Sequence, residues 1–116
     1  MNIKIVTGRI SRQEIKLLAQ ETYKEMVKAV VDIEKETLAV GGELHADAES
    51  VLLDNGSRQE DLWGINLYPD KRESDRIAYT SLINIRPTQG NNSMSVQEDS
   101  LKDKIKNIVE KRVVWE

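Results

Sequence analysis

His45 is the chain's single imidazole, and it stands in the run Gly41-Gly42-Glu43-Leu44-His45-Ala46-Asp47-Ala48-Glu49. Histidine beside carboxylates is raw material for two kinds of chemistry. An imidazole oriented by a carboxylate serves as a general base, and an imidazole grouped with carboxylates holds a hard or borderline divalent cation. For the first, Glu43, Asp47 or Asp61 is the candidate orienting partner, but no nucleophile setting accompanies it. The chain contains neither a Gly-x-Ser-x-Gly elbow nor a His-Glu-x-x-His helix. For the second, the candidate metal ligands are His45 and Asp47, with Glu43 and Glu49 nearby. Their spacing works against using all of them, because the chain leaves extended geometry before Asp47. A third role is structural: a lone histidine where a strand meets a helix often bonds its ring nitrogens to backbone.

A second group of residues depends on how two strands pair. If Tyr68 faces Ile77 across an eight-residue loop, Trp63 faces Leu82, Asp61 faces Asn84 and Gln59 faces Arg86, all on one side. The polar end of that face, with Asn91 and Asn92 in the loop that follows, is a candidate site for a small anionic ligand. A guanidinium fork matches a carboxylate or phosphate, and loop amides add donors. The bland alternative is that Arg86 and Asp61 form an ion pair tying two segments together. Glu43, His45, Asp61, Asn84, Arg86 and Asn91 are therefore the candidate ligand-binding residues, provided that His45 and Arg86 meet in one cleft.

These residues need elements to hold them. Ile3-Lys4-Ile5-Val6 reads as a first strand. Ser11 and Glu14 have capping-box spacing, and Ile15, Leu18, Ala19, Thr22 and Met26 recur at helical spacing, which predicts a helix over 12–26. Residues 27–34 and 38–42 read as a β-hairpin in which Ile33 faces Leu38, Val31 faces Val40 and Lys28 faces Glu43. Asp47 as N-cap and Gly56 as stop bracket a short helix, whose dipole accounts for Asp47 and Glu49 without any chemistry. Strands follow at 62–68 and 77–85, the latter apolar on both parities and so expected inside a sheet covered on both faces. A last helix spans 98–113, with Trp115 beyond it either docked on the core or reaching a partner subunit.

Composition narrows the function classes. A net charge of −3, with Lys102, Lys104, Lys106, Lys111 and Arg112 interleaved with Asp103 and Glu110, supplies no field for nucleic acid. With aromatic residues at 4%, base-stacking platforms are not expected either. The apolar run at the N-terminus is too short for a membrane span or a signal peptide, and the chain has no cysteine. The expectation is a cytoplasmic protein that engages neither nucleic acid nor membrane.

Four strings stand out together: Val30-Val31-Asp32-Ile33-Glu34, Gly41-Gly42-Glu43-Leu44-His45-Ala46-Asp47, Asp61-Leu62-Trp63-Gly64-Ile65-Asn66 and Ile83-Asn84-Ile85-Arg86-Pro87. Over about residues 10–110 the chain resembles a family of small prokaryotic proteins that carries a domain-of-unknown-function label. The resemblance implies a free-standing domain and brings no activity, cofactor or catalytic residue with it. The expected fold is a single α+β domain over 1–116, with a mostly antiparallel sheet of four to five strands in the order β-α-β-β-α-β-β-α. Two functions are carried forward. One is a small interaction or structural domain that self-associates as a homodimer, through Trp115 or a sheet edge. The other is a ligand- or metal-binding domain, enzymatic or not, with its pocket around His45 and Arg86.

Overall fold

In the computed structural model, which describes residues 2–116, the chain runs through β1 (Ile3–Val6), β2 (Ile10–Ser11), α1 (Arg12–Gln20), β3 (Val27–Asp32), β4 (Thr37–Gly41) and α2 (His45–Asp54). It continues through β5 (Leu62–Leu67), β6 (Ile77–Ala78), α3 (Asp99–Arg112) and β7 (Val113–Val114). Five strands form one antiparallel sheet in the order β1-β4-β3-β5-β6. The two short strands β2 and β7 pair in parallel beside it.

Side-chain alternation in the strands decides what each face of the sheet carries. Ala29, Val31, Leu38, Val40, Ile65 and Leu67 point to the face packed by Ile15, Leu18 and Ala19 of α1 and by Ile105, Ile108 and Val109 of α3. Val30, Ala39 and Leu62 point the other way, onto Ala48 and Leu52 of α2. The sheet is thus covered on both faces, and the strand apolar on both parities is β3 at its centre. This α+β architecture and its element order agree with the sequence reading. No helix is long and apolar enough to cross a membrane among the described residues.

Both hairpin registers differ from expectation. The first keeps its faces but slides by two residues: Val31 faces Leu38 and Ala29 faces Val40. Asp32 is the reason. Buried at 1% exposure, its Oδ1 accepts from the N–H groups of Glu34 and Lys35, each at 2.9 Å, and its Oδ2 accepts from Ser57 Oγ at 2.6 Å. Those bonds turn the chain at Asp32 and end the strand there. Lys28 consequently does not oppose Glu43; on the β5 side it faces Asn66, and its ammonium lies 5.0 Å from the Tyr23 ring centroid.

The second hairpin slips by one residue, so that Leu67 faces Ile77 and Asn66 faces Ala78. A one-residue slip exchanges the faces, and the strand then stops. Ser81 accepts the Ile83 N–H on its Oγ at 3.2 Å and starts a 3₁₀ turn, Leu82–Asn84. The expected strand over 77–85 is therefore two residues of edge strand followed by an irregular segment, and the face uniting Gln59, Asp61, Asn84 and Arg86 does not form.

The helices differ less. α1 ends at Gln20, short of the expected 26, as Lys24 turns to a positive φ of 68° and donates its N–H to the Ala19 carbonyl at 2.7 Å. α2 begins at His45 rather than after Asp47, which sits in its first turn. Gly56, at φ +93°, closes α2 as expected: its N–H bonds the Leu53 carbonyl, and that of Ser57 bonds the Leu52 carbonyl.

Candidate functional site

On β5 the side chains facing α2 are Leu62, Gly64 and Asn66, and the missing side chain of Gly64 makes room for a site. A Cβ there would stand 2.4 Å from Ser81 Cβ and 3.1 Å from His45 Cδ2. Glycine lets both residues settle against the strand. His45, the first residue of α2, is only 7% exposed. Its Nε2 donates to the Ile65 carbonyl at 2.8 Å, which leaves Nδ1 of the neutral ring as an acceptor. Burial pushes the imidazole below its usual range, and Lys28 pushes the same way; the Ile65 carbonyl and the Asn66 side chain oppose them.

Beside this ring opens a cleft of about 350 Å³. Its walls are Met26, Leu44, Ala46, Leu82, Ile83 and Met94; its polar groups are His45, Asn66, Ser81, Thr80 and Lys28. Leu44, Leu82 and Met94 stand 57%, 71% and 41% exposed, so the lip of the cleft is itself apolar. Asn66 Nδ2 donates to the Thr80 carbonyl at 3.2 Å, whereas its Oδ1 is buried without a hydrogen-bond partner among the described residues.

Of the residues expected to bind a ligand, His45 alone lines this cleft. Glu43 is exposed, and its backbone carbonyl accepts from the Tyr23 hydroxyl. Asp61 lies in the 3₁₀ turn Gln59–Asp61, where its carbonyl accepts the Ile33 N–H at 2.9 Å. Burial and then the nearby Asp32 carboxylate raise the Asp61 pKa. Asn84 is fully buried and acts as a surrogate strand: Oδ1 accepts the Gly64 N–H at 2.8 Å and Nδ2 donates to the Gly64 carbonyl at 2.9 Å. Asn91 donates to the carbonyls of Asn84, Ser93 and Ser95 and accepts the Gln97 N–H, stapling the loop together.

Arg86 pairs with Glu49 and not with Asp61. Its Nη2 lies 3.4 Å from Glu49 Oε2, with both side chains about nine-tenths buried, at 10% and 12% exposure. The guanidinium sits 4.9 Å from the Trp63 ring centroid. Burial lowers the Arg86 pKa and the Glu49 carboxylate counters it. These contacts clamp α2 to the edge of β5, which leaves no open fork for a ligand.

Asp47 is exposed, and no group of three or more His, Cys, Asp or Glu residues is placed to hold a metal ion among the described residues. The residues that sequence reasoning missed are Lys28, Asn66, Ser81, Leu82 and Met94. Asn66 left a trace, as an amide interrupting an otherwise apolar strand. Leu82 and Met94 left none, since only the turn at Ser81 brings them to His45.

The family model described as "Protein of unknown function (DUF5674)" matches residues 4–112. No curated protein matches the chain. No solved structure matches it either.

Proposed function

We propose that this chain, which belongs to the DUF5674 family of proteins of unknown function, is a binding domain that takes a small, largely apolar molecule into the cleft beside His45. One observation carries the reading: Leu44, Leu82 and Met94, three large and exposed apolar side chains, converge on the lip of one cleft of about 350 Å³. That volume falls in the range of small-ligand sites, which are apolar walls around a few fixed polar groups. Larger clefts offer less: one beside α1 is lined by Arg12 and Lys16, which already pair with Asp70, another collects Arg9, Arg76 and Lys111 with Glu73 and Glu110, and a third is lined by Arg72, Glu73, Ser74 and Lys106. A cytoplasmic setting belongs to the same proposal and fits a chain without cysteine.

Nile red, an uncharged apolar dye, tests it. Saturable blue-shifted fluorescence is expected from the wild-type protein, weakened at least about tenfold by Leu82→Glu. Seating an apolar occupant against that carboxylate strips water from it, a desolvation cost above the roughly 1.4 kcal/mol that tenfold represents. Because Leu82 is mostly exposed, the variant keeps its fold, to within about 0.5 kcal/mol. Absence of saturable binding, or equal binding by the variant, sinks the proposal.

The exposure of Leu82 and Leu44 also favours a second reading, self-association through the same lip. Sedimentation velocity separates the two. A mass that rises with concentration in the wild type and stays monomeric in Leu82→Glu assigns the lip to a second copy of the chain.

A further inference from the structure

Charge is distributed unevenly around the cleft beside His45. Lys28 and Asn66 are register partners on β3 and β5, and their side chains share the face of the sheet that carries α2. Lys28 brings the one ammonium to the wall, and no Asp or Glu lines the cleft among the described residues, in a chain with 20 acidic residues. It makes no ion pair among the described residues either. The Tyr23 ring, with its centroid 5.0 Å from Nζ, favours the cation without neutralising it. The field of Lys28 reaches the His45 ring, whose protonation it opposes. Hydrogen-bond donors accompany this charge. Thr80 and Ser81 bring hydroxyls to the wall, and Ser81 Oγ, which accepts the Ile83 N–H, keeps its own O–H to give. Arg86, by contrast, is spent on Glu49.

We infer that the occupant of the cleft is an amphipathic monocarboxylate, with its carboxylate on the Lys28 ammonium and its hydrocarbon against Met26, Leu44, Leu82 and Met94. This rests on the proposed small-molecule function and names the ligand class that the site reads. An unpaired ammonium beside apolar walls and hydroxyl donors is complementary to one negative charge at the end of an apolar body. A carboxylate is neutralised there, whereas a dianionic phosphate would keep an uncompensated charge against Leu44 and Met94. The two methionines are unbranched and fit an aliphatic chain by changing rotamer.

Octanoate and octanamide, which share a chain and differ in charge, make the test. Each is titrated into the ¹⁵N-labelled protein at pH 8, where the acid is ionised, and shifts are followed at the backbone amides of Ala46 and Leu82. Octanoate is expected to bind the wild type at least about fivefold tighter than octanamide, the ratio that a part-exposed ion pair of about 1 kcal/mol gives. Lys28→Met, which keeps the length of the side chain and removes its charge, is expected to bring the two ligands to equal affinity. Equal binding by the wild type, or a preference that survives in Lys28→Met, overturns the inference and leaves the proposed function standing. If neither ligand shifts these amides the inference also fails, and the Nile red titration then decides separately whether the cleft binds at all. High salt supplies a check that needs no variant: screening is expected to shrink the wild-type preference, and its persistence undiminished would overturn the ion pair.

Discussion

His45 holds its place in the fold as a neutral donor, with its ring buried and its Nε2–H bound to the Ile65 carbonyl. Its pKa is lowered from 6.5, chiefly by burial, and the sign of the consequence follows. Above that value the imidazole is neutral in folded and unfolded chains alike and contributes no pH dependence. Below it the unfolded chain takes up a proton that the folded one refuses, so stability falls with pH until the folded value is passed. The slope for one such proton approaches but does not exceed about 1.4 kcal/mol per pH unit. Denaturant unfolding at pH 8, 6.5 and 5.5 checks this against His45→Gln, whose amide can still donate to the carbonyl but does not titrate. The wild type is expected to lose stability relative to the variant as the pH drops below 6.5. Parallel loss in both proteins would place the titration elsewhere.

At the scale of elements, the edge of β5 is where the fold departs most from a regular sheet. β6 pairs only with Asn66 and Leu67, and beyond it the Asn84 amide takes over by bonding both the N–H and the C=O of Gly64. Asn84→Ala orphans two buried backbone groups at once. At about 1–3 kcal/mol for each unsatisfied group, a loss near 3 kcal/mol is expected by urea unfolding, together with faster exchange of the Gly64 amide. A loss below about 1 kcal/mol would mean that water satisfies the strand equally well. The same edge shows what sequence can reveal. Strands β1, β3, β4 and β5 and helix α3 were legible because their periodicity reports which side is buried, and Gly56 was legible because a helix stop calls for positive φ. The path after Ala78 was not, because Ile77, Tyr79, Ile83 and Ile85 alternate as a strand would while Ser81 caps a turn. That one turn moves Arg86 to Glu49 and brings Leu82 and Met94 to the cleft. Of the candidate site, His45 could be read from the sequence, while its neighbours depend on long-range pairing that local pattern does not encode.

Across the whole molecule, the C-terminal end is tied down twice. β7 pairs in parallel with β2, burying Val113, and Trp115 packs partly buried on the larger core with the Arg76 guanidinium 4.8 Å from its ring centroid. A docked Trp115 is part of the domain's own packing, whereas the apolar lip at Leu82 and Leu44 stands mostly exposed among the described residues. The two sites therefore give opposite signatures when altered. Trp115→Ala is expected to lower stability by about 1–2 kcal/mol, less than the roughly 3–5 kcal/mol for a fully buried tryptophan, because part of the ring already meets solvent. It is expected to leave the mass measured by light scattering unchanged at every concentration. A change in that mass, with the melting temperature held, would instead make Trp115 the contact between subunits. It would also move any self-association away from the cleft, since an oligomer held by the C-terminal end leaves Leu82 free for a ligand.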